Sequence, residues 1–115
     1  MSDSCLFCKI VSGEIKGNIV FQDEQATAFR DIHPVGPTHI LIVPNRHVPS
    51  VNALEAGDEQ LMGHLYTVAG QLAKSEGIDQ TGYRLITNTG PDAGQTIFHI
   101  HVHLIGGQPM KHPMG

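Results

Sequence analysis

Three histidines spaced two apart, His99, His101 and His103, alternate with the apolar Ile100, Val102 and Leu104. Successive side chains of a β-strand point to opposite faces, so the imidazoles would share one face and the aliphatic residues the other. Their rings would start roughly 7 Å apart, from a rise of about 3.3 to 3.4 Å per residue, and a phosphate-sized group could touch two at once. Histidine titrates near neutrality, which suits nucleophilic or acid–base work. A neutral imidazole can attack phosphorus and form a phosphohistidine that water later resolves, splitting one difficult step into two. His101 is the central member, with a histidine on either side to hold the phosphate oxygens. Two readings compete with this one: a solvated strand face that carries histidines, and a metal site, since His-x-His presents two ring nitrogens. No carboxylate lies in the run and the nearest, Asp92, is several residues away, which favours histidine acting on its own account.

The turn before the run, Gly90 to Thr96, can point backbone N–H groups toward an anion, and Thr96 adds a hydroxyl. It holds no Lys or Arg, which suits a singly charged phosphoryl group unless folding brings Arg30, Arg46 or Arg84 near. Cys5-x-x-Cys8 has three readings: two small buried residues, a redox pair, or half of a zinc site. The strand-then-helix setting of a redox motif is missing. For zinc, two histidines must come from elsewhere, with His47 and His99 as candidates, and a closed Cys2His2 set would be structural. Asn88 either ends a strand or contacts a ligand. His39, opening a strand, reads alone as structural. Asp31 and Ile32 either close a strand or meet a ribose and a base.

These residues need a scaffold. Lys9 to Glu14 can hold one helical turn before Gly13. Ile19–Gln22 and Ala26–Asp31 are rich in β-branched and aromatic residues and flank the polar Asp23-Glu24-Gln25, which predicts a hairpin. Pro34-Val35-Gly36-Pro37 is a turn or loop. Thr38–Pro44 is a third strand, followed by an exposed connection, Asn45–Ser50. Between Asp58 and Glu76, Leu61, Leu65, Val68 and Leu72 repeat at helical spacing, with Asp58 as N-cap and Gly77 as C′. Tyr83–Asn88 supplies a fourth strand and the histidine run a fifth. The pattern predicts an α+β domain with an antiparallel sheet. The tail from Gly106 is expected to be irregular.

The 115 residues suit one domain, 1–115, with its own core. With 40% hydrophobic and 16% charged residues the chain reads as globular. A formal charge of −4 suggests no broad grip on nucleic acid or anionic membranes. Met1-Ser2-Asp3-Ser4-Cys5 lacks the basic and apolar regions of a leader, and no apolar run approaches the roughly 20 residues of a membrane span. The expected location is cytoplasmic, where the two cysteines would not form a structural disulfide.

His99-Ile100-His101-Val102-His103-Leu104-Ile105 resembles the His-φ-His-φ-His-φ-φ signature of the histidine triad superfamily, φ being apolar. The likeness extends through Cys5-x-Phe7-Cys8-Lys9-Ile10, Ala28-Phe29-Arg30-Asp31-Ile32, Pro37-Thr38-His39, Val43-Pro44-x-x-His47 and Gly94-Gln95-Thr96, and is to the Hint-like branch. The resemblance implies a homodimer whose two five-stranded sheets join into one of ten strands, with one long helix and a short N-terminal helix per copy. It implies hydrolysis of purine nucleoside phosphoramidates or acyl adenylates to the monophosphate through a nucleotidyl-histidine. His101 matches the nucleophile, with His103, His39 and Thr96 supporting phosphate and proton transfer. Leu6, Phe7, Phe29, Asp31 and Ile32 match the base and ribose pocket, and Asn88, Gly94, Gln95 and Thr96 the phosphate side and leaving group. A structural zinc would rest on Cys5, Cys8, His47 and His99. Alternatives are a dinucleoside polyphosphate hydrolase and a nucleotide-binding regulatory module. His33 stands where a small polar residue is common, and with the segment after Met110 is expected to affect specificity.

Overall fold

The structure, a computed structural model, describes residues 5–112. The opening Met1-Ser2-Asp3-Ser4 and the end of the tail, residues 113–115, lie outside the described residues. Helix α1 spans Leu6–Ser12, starting earlier than its apolar pattern suggests because Cys5 caps it: its Sγ accepts the Cys8 N–H at 3.2 Å. Gly13 ends it in the left-handed region at φ 84°, which glycine adopts without a Cβ clash.

Strands β1 (Ile19–Gln22) and β2 (Ala26–Arg30) form the expected hairpin, turned by Asp23, whose carboxylate accepts the Gln25 and Ala26 N–H groups at 2.8 Å. Strand β3 (Thr38–Pro44) is buried along its whole length. Helix α2 (Glu59–Ser75), strand β4 (Tyr83–Ile86) and strand β5 (Val102–Gly106) complete the domain. The sheet order is β1-β2-β3-β5-β4, with every neighbouring pair antiparallel.

One face of the sheet carries Ala28, Ile40, Ile42, Val102 and Leu104 against Leu65, Val68, Ala69 and Leu72 of α2. The other carries Phe29, Leu41 and Val43, covered by Phe7 and Ile10 of α1. The sheet therefore buries both faces at its centre, and this second, thinner cover is where a ligand can enter. Arg30 fixes the far end of α2, its two terminal nitrogens each 2.9 Å from a Glu76 oxygen, and Thr38 Oγ1 donates to the same carboxylate. That pairing holds Glu76 below the ordinary carboxylate range.

Four expectations are corrected. Asp58 stands at the N-cap position of α2 but makes no side-chain capping bond: its carboxylate turns back to the Glu55 N–H at 2.9 Å and to Arg46, and a single 3₁₀ turn, Ala56–Asp58, leads into the helix. Strand β4 stops at Ile86 rather than Asn88, because its partner β5 gives out one pair beyond His103. The connection after β3 is only partly exposed, with Val48 2% exposed. Finally, β5 begins at Val102, so His99 and His101 lie on a segment that leaves the ladder. The carbonyl of Pro44, at the end of β3, takes the His99 ring N–H at 2.7 Å, and outside the ladder the segment is tied by a backbone bond from Ile100 N–H to Val48 O. Gly77 does stand at C′ of α2, at φ 75°, with Ile78 N–H reaching Ala73 O at 3.0 Å.

Leu65 lies fully buried between α2 and the sheet. Leu65→Ala is expected to cost about 2 to 5 kcal/mol of unfolding free energy, measured by urea denaturation.

Candidate active site and metal cluster

His99 and His101 are buried, at 0% and 8% exposure, which overturns the solvated-face reading. Each imidazole has a different set of partners. His101 Nδ1 lies 2.8 Å from the carbonyl of His99 and can only donate to it, so in the neutral ring Nε2 is the nitrogen that carries the free lone pair. The ring packs edge-on against Phe7 at 5.1 Å between centroids and stands 4.9 Å from the His103 ring.

His103 pairs with Ile86 on one side and Leu41 on the other. Its Nδ1 is 2.9 Å from His39 Nε2, while His39 Nδ1 accepts the Val35 N–H at 3.2 Å. That backbone donor sets both tautomers: His39 must carry its proton on Nε2, His103 Nδ1 accepts it, and His103 Nε2–H is free to donate. Asp31 Oδ2 approaches His39 Nε2 at 3.4 Å, and its other oxygen accepts the His33 N–H at 2.8 Å. Asp31, His39 and His103 thus gather three metal-type donors. The Val35 hydrogen bond argues against an ion there, because a metal on His39 Nε2 would leave the ring with no proton at all. Burial, then the neighbouring His101 and His39, pushes His103 down to about 4, and burial lowers His39 despite Asp31. Both rings are neutral at pH 7.

A cleft of about 460 Å³ opens over this row. It is lined by the expected Leu6, Phe7, Phe29, Asp31, Ile32, Asn88, Gly94, Gln95, Thr96, His101 and His103. Not foreseen were Ile10, Leu41, Ile97 and the stretch Ile15 to Asn18. Leu41 was accessible from the pairing of β3 with the histidine strand, whereas nothing in the type of Lys16 or Asn18 marks them. The glycine turn is braced rather than open. Gln95 is buried, its amide nitrogen donating to Pro49 and Ile97 carbonyls and its oxygen accepting the Gly90 N–H. The amides of Gly94 and Gln95 bond back to Pro91 and Gly90. Three amides expected to face an anion are therefore spent inside the loop, and Thr96 remains on the cleft wall with its hydroxyl. None of the arginines supplies charge at the histidines: Arg30 is engaged by Glu76, Arg46 by Asp58, and Arg84 donates to the His112 carbonyl.

Cys5, Cys8, His47 and His99 converge as a group able to hold a metal ion. His99 Nδ1 stands 3.3 Å from Cys5 Sγ, 3.4 Å from Cys8 Sγ and 3.3 Å from His47 Nδ1, and Cys8 Sγ is 3.3 Å from His47 Nδ1. The His99 ring proton is committed to Pro44 O, so Nδ1 presents its lone pair to the group. Burial, then the adjacent Cys5 thiol, pushes the Cys8 thiol up to about 11. A bound cation would reverse that preference and hold both sulfurs as thiolates.

Residues 12–110 match the HIT domain. The purine nucleoside phosphoramidase of Escherichia coli (strain K12) is 51% identical over 110 residues, spanning 96% of this chain and 92% of that one. A HIT family hydrolase from Legionella pneumophila Philadelphia 1 superposes with a TM-score of 0.94 at 45% identity, covering 97% of this chain and all of the other. One from Clostridium thermocellum superposes at 0.95 with 39% identity, covering 99% of each. The chain belongs to the HIT domain family. Within that family it is a hydrolase, on the evidence of these relatives.

Neutral His103 has a folded pKa below its unfolded value of about 6.5, so the unfolded chain binds the extra proton first. Its contribution to stability is full above pH 6.5 and is lost as pH falls toward about 4. Unfolding free energy is expected to decline across that window, with a shallower decline in His103→Asn, measured by urea titrations at successive pH values.

Proposed function

We propose that the enzyme hydrolyses purine nucleoside phosphoramidates or acyl adenylates to the nucleoside monophosphate. The observation that carries this reading is the His101 ring, whose Nδ1 proton is held by the His99 carbonyl and whose Nε2 is bare beside the cleft. His101 Nε2 attacks the α-phosphorus, the phosphorus–nitrogen or phosphorus–oxygen bond to the leaving group breaks, and the amine or acid departs. Water then attacks the phosphorus of the nucleotidyl-histidine, releasing the monophosphate and returning a neutral imidazole. His103 Nε2–H donates to phosphoryl oxygens, backed by His39. Thr96 and His103 are the donors available to the leaving group. Asp31 accepts from the ribose hydroxyls, with the base against Leu6, Phe7, Phe29 and Ile32, and Asn88, Gly94 and Gln95 shape the phosphate side. The phosphoramidase named among the relatives supports the substrate class. The absence of an engaged Lys or Arg at the histidines favours it over a dinucleoside polyphosphate.

The cluster of Cys5, Cys8, His47 and His99 fits a structural zinc. Bond lengths of about 2.3 Å to sulfur and 2.0 to 2.1 Å to nitrogen, at tetrahedral angles, separate ligand atoms by about 3.3 to 3.8 Å, which matches the distances above. When bound, zinc would fix the start of α1 to the segment carrying His101. We further infer that residues 1–115 act as one domain, that two copies join their sheets into ten strands, and that the enzyme works in the cytoplasm. Among the described residues no helix is long and apolar enough to cross a membrane, and the net charge of −4 argues against a nucleic-acid partner.

His101→Ala is expected to lower turnover of a fluorogenic adenosine phosphoramidate by about a thousandfold or more while AMP still binds. Retained turnover would remove His101 from the mechanism. Purified protein is expected to carry one zinc per chain by elemental analysis, with a lower melting temperature after chelation. Cys5→Ser should lose both the metal and the chelator sensitivity.

A further inference from the structure

The cleft has a far end. His103 on β5 pairs with Leu41 on β3, Leu41 with Phe29 on β2, and Phe29 with Ile19 on β1. Three strand spacings of about 4.8 Å set Ile19 roughly 14 Å from His103, comparable with the length of a nucleoside monophosphate. A nucleotide with its phosphorus at His101 and its ribose at Asp31 would set the base over Phe29 with its outer edge toward Lys16-Gly17-Asn18, the segment leading into β1.

That segment is a fixed wall. Ile15 N–H donates to Lys9 O at 3.1 Å, and the Asn18 carbonyl accepts the Arg30 N–H at 3.0 Å. Gly17 lies so close to α1 that an added Cβ would stand 2.9 Å from Ile10 Cγ2. Lys16, Gly17 and Asn18 all line the cleft. Arg30 lines it too, with its guanidinium committed to Glu76. Lys16 is therefore, among the described residues, the one unpaired Lys or Arg on the cleft wall, and its segment leads into β1, three strands from the one that carries His103. The Asn18 side chain likewise has no hydrogen-bond partner among the described residues.

We propose that Lys16, with Asn18 beside it, reads the outer edge of the bound purine and favours 6-oxopurines such as guanine over adenine. Lysine only donates. Guanine presents two adjacent acceptors, O6 and N7, whereas adenine replaces O6 with an amino donor that a lysine cannot engage. Because Lys16 is exposed, the preference is about three- to tenfold, below what a buried bidentate pair achieves. The inference rests on the nucleotide reading above.

The test measures GMP, IMP and AMP affinities by calorimetry, and kcat/KM for guanosine and adenosine phosphoramidates bearing the same amine, in the wild type, Lys16→Met and Lys16→Arg. IMP keeps O6 and N7 without the 2-amino group, so it should bind like GMP. The expected result is tighter GMP and IMP than AMP, a ratio near one in Lys16→Met, and a preserved ratio in Lys16→Arg. Equal affinities in the wild type, or a Lys16→Met loss shared by all three nucleotides, would overturn the base reading. A wild type that shows the preference yet hydrolyses neither phosphoramidate would retire the proposed activity and leave Lys16 its role. Hydrolysis of both with equal efficiency would do the reverse, and failure to bind any of the nucleotides would overturn both.

Discussion

The hydrogen bond from His101 Nδ1–H to the His99 carbonyl is the constraint on which the rest depends. A neutral imidazole has one donor nitrogen and one acceptor nitrogen, and fixing the first exposes the second. The carbonyl can hold that proton only if its own residue is immobile. His99 is anchored through its ring, by Pro44 on one nitrogen and the Cys5, Cys8, His47 cluster on the other. Phe7 then closes the arrangement, with edge contacts to both His99 and His101.

A regular spacing therefore serves two separate polar systems. His99 turns toward the cluster and belongs to the frame of the domain. His103 turns toward His39, and through it to the Val35 N–H, a backbone donor that cannot move without moving the loop before β3. Departure of the chain from the β5 ladder before Val102 is what separates them: a full strand would have set all three rings in one file. Burial lowers the proton affinity of His39, His99 and His103 alike, so these three rings favour the uncharged form beside His101.

Much of this was legible from residue types. Alternation in the histidine run separated Val102 and Leu104, under α2, from the chemistry-bearing face, and helical spacing from Leu61 to Leu72 marked the element that covers the sheet. Both cysteines and the candidate ligands His47 and His99 could be listed, because few side chains bind metals. Hydrogen-bond choices were not legible. Asp58 has the right type for an N-cap, but Arg46 and the Glu55 amide compete for the same carboxylate. Gln95 resembles a ligand contact and is spent on Pro49, Ile97 and Gly90. Side-chain chemistry states what a group can do, while the tertiary structure decides which of several partners is near.

The contact between Cys5 and His99 joins residues 94 positions apart, nearly the whole length of the chain. Among the described elements α1 precedes the sheet in the chain, and Phe29 and Leu41 give it a surface once β3 exists. Its capping cysteine must wait until the last strand is about to form. The contact therefore joins an early segment of the domain to a late one, and a chain halted before residue 99 has α1 and the strands it covers but neither this clasp nor His101.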